Sequence, residues 1–230
     1  MSDTPPNAEL LRSLGRLVRG LSALFWGLPI ALIACFYTAR TDELRNFNVV
    51  PALVSTALLV FGVWQLGDFQ KQERVWRHAL DRGLVLSLIV FFLSPFLYWW
   101  CRDPANKFFL AMVIALAVSG LLFLGSLNLV LQRLGAMLPD EALRMETKQF
   151  TAWNLNILLA LFVLGAMHFA IGRVRDLPLW LAQIPFFSEP TSQYFQWLLL
   201  MLALLPLAMT MALLWKTKEV ILDSVFGAER

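Results

Sequence analysis

The chain has 230 residues, of which 59% are hydrophobic and only 15% charged, with a mean hydropathy of +0.66 and a net charge of +3. Soluble domains carry about 25% charged residues, so this composition excludes an ordinary soluble domain and makes the basic balance a question of membrane orientation rather than of nucleic-acid binding. Two cysteines exclude a disulfide framework and a Cys-rich metal site.

Six apolar stretches contain no Asp, Glu, Lys or Arg: about residues 20–38, 48–67, 83–100, 108–128, 151–171 and 194–215. At about 1.5 Å rise per residue, ~20 residues cross the ~30 Å hydrocarbon layer, so each is predicted to be a transmembrane helix. The expected fold class is all-α: a polytopic integral membrane helical bundle of six transmembrane helices, forming a single domain over 1–230.

Residues 1–8 are polar and hold Pro5 and Pro6, which predicts a disordered tail. Over 9–19, Leu10, Leu11, Leu14, Leu17 and Val18 form a stripe that continues to Leu21, with Arg12, Arg16 and Arg19 around the other side. This is an amphipathic helix, either lying on the inner leaflet or running straight into the first span. Leu32-Ile33-Ala34-Cys35 resembles a lipoprotein cleavage box, but the apolar stretch exceeds a signal core of about 7 to 15 residues. A retained anchor helix is therefore expected.

The first span repeats small side chains at every fourth position, at Ala23, Gly27, Ala31, Cys35 and Ala39, and the fourth span does so at Ala111, Ala115 and Ser119. Such faces let helices approach closely where lipid removes the usual hydrophobic drive, so both are candidate helix-packing faces. Pro29, Pro95 and Pro206 lie inside spans and are expected to bend them. Cys35 and Cys101 lie at similar depth, where a disulfide is open to them in an oxidising compartment; separate thiols are the expected state.

Between the fifth and sixth spans, Leu177 to Phe187 is apolar but too short to cross, which predicts an interfacial or re-entrant element. On the other side, charged helices are expected to extend the spans: Asp68 to Leu80 continuing the second, Asp140 to Phe150 leading into the fifth, and Lys216 to Val225 continuing the sixth. Phe69, Arg74, Trp76 and Arg77 on the first of these are candidates for docking a cytoplasmic partner.

Lys and Arg set the orientation. Thirteen of the 19 fall in the tail, the second and fourth connections and the C-terminal segment, leaving six for the other three loops. By the positive-inside bias both termini are expected in the cytoplasm, in a cell (inner) membrane. Tryptophans agree, with Trp64, Trp153 and Trp215 at inner ends and Trp99, Trp100, Trp180 and Trp197 near the outer surface; Trp26 and Trp76 are exceptions.

Chemistry is sparse. The two histidines, His78 and His168, fall on opposite sides, which excludes bis-histidine haem within the chain. Neither an H-E-x-x-H pair, a G-x-S-x-G elbow nor a phosphate-binding glycine loop occurs, and the spans hold no charged side chain for ion coupling. No cofactor or metal is expected. Neutral polarity remains: a stripe on the fifth span runs from Asn154 near the inner end to His168 near the outer, and His168 with Ser94 and Tyr98 on the third span and Gln193 and Gln196 near the sixth outlines a candidate polar outer vestibule. Asn128, Asn156, Gln65 and Thr210 form an inner set. For both sets, hydrogen bonding between helices is the simpler role.

The expected function is that of a non-enzymatic multi-pass membrane protein serving as an assembly or scaffold subunit, with the lipid bilayer, other membrane subunits or further copies of itself as partners. Its inside termini, surface helix and cytoplasmic helix also fit a permease subunit of an ATP-driven exporter whose ATPase is a separate chain. A lipid-modifying enzyme, with His168 as its acid or base, is a third reading.

Overall fold

A computed structural model describes residues 6–40, 47–67, 69, 73–138, 141–171 and 189–226. It contains six helices, α1 (Pro6–Arg40), α2 (Val50–Leu66), α3 (Arg74–Arg102), α4 (Lys107–Met137), α5 (Glu141–Ile171) and α6 (Glu189–Phe226), and no strand among the described residues. Helices are what an apolar, charge-poor chain must form in lipid, where each backbone N–H and C=O needs a partner within its own segment. All but α2 are long and apolar enough to cross a membrane; α2 is an apolar helix of 17 residues, about 25 Å long.

The helices exceed the apolar stretches because hydropathy marks only the part suited to lipid, whereas intrahelical hydrogen bonds continue into water. Thus α4 runs on to Met137, α5 starts at Glu141, and α6 spans 189–226. The stretch 9–19 is continuous with the first span in one 35-residue helix. Its apolar stripe is covered by protein: Leu17, Leu21 and Leu24 are fully buried, in the same core as Leu66, Leu214 and Ile221. The stripe keeps its register into the span, so one face serves both.

Taken in chain order, the bundle can be described as two three-helix units. Within the first, α1, α2 and α3 all touch one another; within the second, α4, α5 and α6 do the same; α1 against α6 and α3 against α4, one of the most extensive contacts in the bundle, join them. Alternating chain direction puts the starts of α1, α3 and α5 and the ends of α2, α4 and α6 at one end. That end carries most of the Lys and Arg and is called the basic end below.

Asp68 to Leu80 does not continue the second span. α2 stops at Leu66, Gly67 donates back to the Trp64 carbonyl at 3.1 Å, and residues from Arg74 onward open α3. Glycine's low helix propensity at Gly67, followed by a polar run, ends the helix there. At the opposite end, Asp103 to Asn106 make a tight turn whose Asn106 side chain accepts from the Phe108 amide at 3.0 Å and caps α4. Leu177 to Phe187 lies outside the described residues.

Candidate functional site

The deepest polar cluster sits where α4, α5 and α6 meet. Asn128, Asn154 and Thr210 are fully buried, and Thr151 nearly so. Asn154 Nδ2 faces Asn128 Oδ1 at 3.0 Å, Thr210 Oγ1 at 3.0 Å and the Pro206 carbonyl at 3.1 Å. Asn128 Nδ2 donates to Thr210 Oγ1 at 2.9 Å and to the Leu124 carbonyl at 2.8 Å, and the Thr210 hydroxyl donates to Pro206 O at 2.7 Å. The Thr151 hydroxyl reaches the Asn128 carbonyl at 3.3 Å.

Every donor chain in this cluster ends on a backbone oxygen. Pro206 has no amide to give the Leu202 carbonyl one turn earlier, which locally weakens the helical ladder of α6. Its own carbonyl accepts from Asn154 on α5 and Thr210 on α6, and Asn128 on α4 joins through Thr210. The network has one open position, because Asn154 Oδ1 is buried without a partner. Amide and hydroxyl groups do not titrate near neutral pH, so the cluster is a set of fixed dipoles that locks three helices in register.

Two of the five vestibule residues, Ser94 and Tyr98, have described side chains. Ser94 is fully buried against α2, within 3.3 Å of the Thr56 hydroxyl, and donates to the Phe91 carbonyl at 2.9 Å. Tyr98 donates its hydroxyl to Asn48 Oδ1 at 2.7 Å, with Arg102 lying 5.5 Å over its ring. Asn48 itself has φ 52°, a left-handed conformation that asparagine tolerates, so Tyr98 pins the turn leading into α2. α3 makes no packing contact with α5 or α6 among the described residues. Ser94 and Tyr98 thus make their side-chain bonds within the first unit. His168 lies on α5 and Gln193 and Gln196 on α6, with side chains outside the described set.

The small-residue faces also differ from one another. Gly27 and Ala31 are buried at the α1–α2 contact, but Ala23 and Cys35 are only partly covered and Ala39 is exposed. A spacing of four residues drifts around a helix with 3.6 per turn. The packed face follows Gly20, Gly27, Ala31, Ala34 and Thr38 instead. A Cβ on Gly20 would press on Leu66 and lie 2.8 Å from the Gly62 carbonyl, and one on Gly62 would lie 2.7 Å from Leu24. Glycine at both positions is what lets the two backbones approach. In α4, Ala111 is exposed, Ala115 and Ser119 are half-buried, and nothing lies within 4 Å of the Cβ position of neighbouring Gly120. Cys35 and Cys101 are free thiols, and Cys101 Sγ lies 3.3 Å from the Thr38 carbonyl.

Of the docking candidates, Phe69 and Trp76 turn inward. Their rings meet edge to face at 6.3 Å, Trp76 is 1% exposed, and its Nε1 donates to the Phe69 carbonyl at 2.9 Å. They close the α2–α3 connection rather than offer a surface. Arg74 and Arg77 remain exposed beside them. Also at the basic end, Lys216 on α6 pairs with Glu146 on α5.

Among the described residues no group of His, Cys, Asp and Glu is arranged to hold a metal ion. No family model, curated protein or solved structure matches this chain.

Sequence reasoning passed over Gly20, Gly62, Thr56 and Asn48. A signal existed for the first two: glycine is the only residue type that can face another glycine's carbonyl at the distance found here. For Thr56 and Asn48 the sequence holds no mark of their partners.

Proposed function

We propose that the chain is a six-span protein of the cytoplasmic (inner) membrane, with both termini inside, acting as a non-enzymatic assembly or scaffold subunit of a membrane complex. One contrast carries this reading. Asn128, Asn154 and Thr210 are spent on joining helices, while the α4 face through Ala111, Ala115 and Ser119 is only partly covered among the described residues. Val163 and Met167 on α5 and Trp197, Met201 and Leu205 on α6 are exposed as well. Small side chains in a partly covered membrane face suit close approach by another helix. The basic end supports inside termini through the bias of Lys and Arg.

Blue-native electrophoresis of gently solubilised membranes is expected to show a species larger than the monomer, and Ala115→Trp, a bulky change on this α4 face, is expected to reduce it without unfolding the protein. A lone monomer, with nothing recovered reproducibly by affinity capture, sinks the reading. The permease reading keeps one supporting feature, the exposed Arg74 and Arg77 beside the rigid Phe69–Trp76 connection. It requires that Arg74→Glu with Arg77→Glu abolish recruitment of a separate ATPase.

A further inference from the structure

Between α3 and α5, with α4 as its floor, lies a cavity of about 930 Å³. α3 and α5 do not touch, so the cavity opens sideways as a groove among the described residues. Val85 and Leu86 form one wall, Leu155 and Phe162 the other, and Leu122 lies on the floor. At the basic end the apolar lining stops at Asp81 and Arg82, which are both exposed and make no hydrogen bond or ion pair among the described residues.

Two measures select the occupant. Along α4 the lining runs from Val118 to Leu129, about 16 Å of helix, which is half of the ~30 Å hydrocarbon thickness. A partner's transmembrane helix needs a slot through the full thickness; an acyl chain needs one leaflet. The charges sit at the headgroup level, since Trp153, an exposed interfacial ring, lies two residues before the groove residue Leu155 on α5. One cation and one anion side by side complement a headgroup that carries both signs. We infer that this groove holds one glycerophospholipid of the basic-end leaflet, its phosphate on Arg82, its primary ammonium on Asp81 and an acyl chain along α4.

Moving an acyl chain from bilayer to groove exchanges one apolar environment for another, so the hydrophobic term nearly cancels and selectivity rests on the headgroup contacts. The assembly reading concerns the other end of α4, and the two stand or fall separately.

The test is native mass spectrometry of the delipidated full chain in mild detergent, titrated in turn with phosphatidylethanolamine and phosphatidylglycerol. One bound phosphatidylethanolamine is expected, held more tightly than phosphatidylglycerol, which lacks the ammonium. Arg82→Glu is expected to weaken it about tenfold or more, as loss of a charge-assisted contact implies. Asp81→Asn is expected to erase the preference between the two lipids. Leu122→Trp, at an exposed floor position that tolerates bulk, is expected to reduce retention by filling the groove, while Arg133→Glu, at the same end but outside the groove, leaves it unchanged. Equal retention of both lipids by the unaltered chain, or unaltered binding in both Arg82→Glu and Leu122→Trp, overturns the proposal. So does efficient crosslinking of Leu122→Cys to a second copy or another protein, which would put a helix in the groove.

Discussion

The two three-helix units solve one problem by different means. In the first, α1 and α2 meet where Gly20, Gly27 and Gly62 make room for Leu66, Leu59 and Leu24 of the facing helix, and van der Waals packing holds the pair. In the second, Asn128, Asn154 and Thr210 bridge three helices through hydrogen bonds, and a close glycine contact recurs near the basic end, where Gly135 faces Thr147. Lipid tails are as apolar as leucine, so burial of apolar surface cannot choose a partner helix inside a bilayer. Contact distance or polarity must do it, and this chain uses both, with glycine contact leading between α1 and α2 and hydrogen bonding leading among α4, α5 and α6.

The contrast can be broken by substitution. Gly62→Leu is expected to have the largest effect, a loss of about 3 kcal/mol or more, because the added atoms meet both Leu24 and the Gly20 carbonyl and the backbones must separate. Reversible unfolding in mixed micelles measures it, with Gly120→Leu as reference. Asn154→Ala is expected to cost about 1.5 kcal/mol, near the top of the range for hydrogen bonds between membrane helices. Its sum with Thr210→Val should exceed the cost of the double substitution, since both remove parts of one network. Additive losses there would reduce the network to independent bonds. Gly120→Leu is expected to change stability by less than about 0.5 kcal/mol, as its Cβ position is open. A large loss would show that α4 is covered on that side in the isolated protein.

How much of this was legible in the sequence depends on range. The apolar stretches announced helices because about twenty uncharged residues have few alternatives, and they correspond to α1 through α6. The helix ends were less legible: α4 and α5 continue into charged residues that helix propensity tolerates and hydropathy ignores. The charged run after α2 was assigned to the wrong helix because Gly67 and the ring pair of Phe69 and Trp76, which depend on three-dimensional closure, reverse the chain there. Among site residues, Asn128 and Thr210 were visible as an inner polar set with bonding between helices as the simpler role, but Asn156, grouped with them, is exposed, and Asn154 two residues earlier is the one that joins them. Ser94 and Tyr98 looked available only because their partners, Thr56 in α2 and Asn48 in the turn before it, lie about forty to fifty positions away, where no local pattern specifies them.

The seam between α1 and α6 also has a consequence in time. Phe25 packs on Trp215 with ring centroids 5.5 Å apart, and Leu21 shares a core with Leu214 and Ile221. A ribosome adding about 5 to 20 residues per second delivers those partners some ten seconds or more after α1 has emerged. During that interval α1 can already hold α2 through glycine, but its other flank has only lipid against it. Thus α1 enters the membrane as an unfinished surface, and α6 closes it.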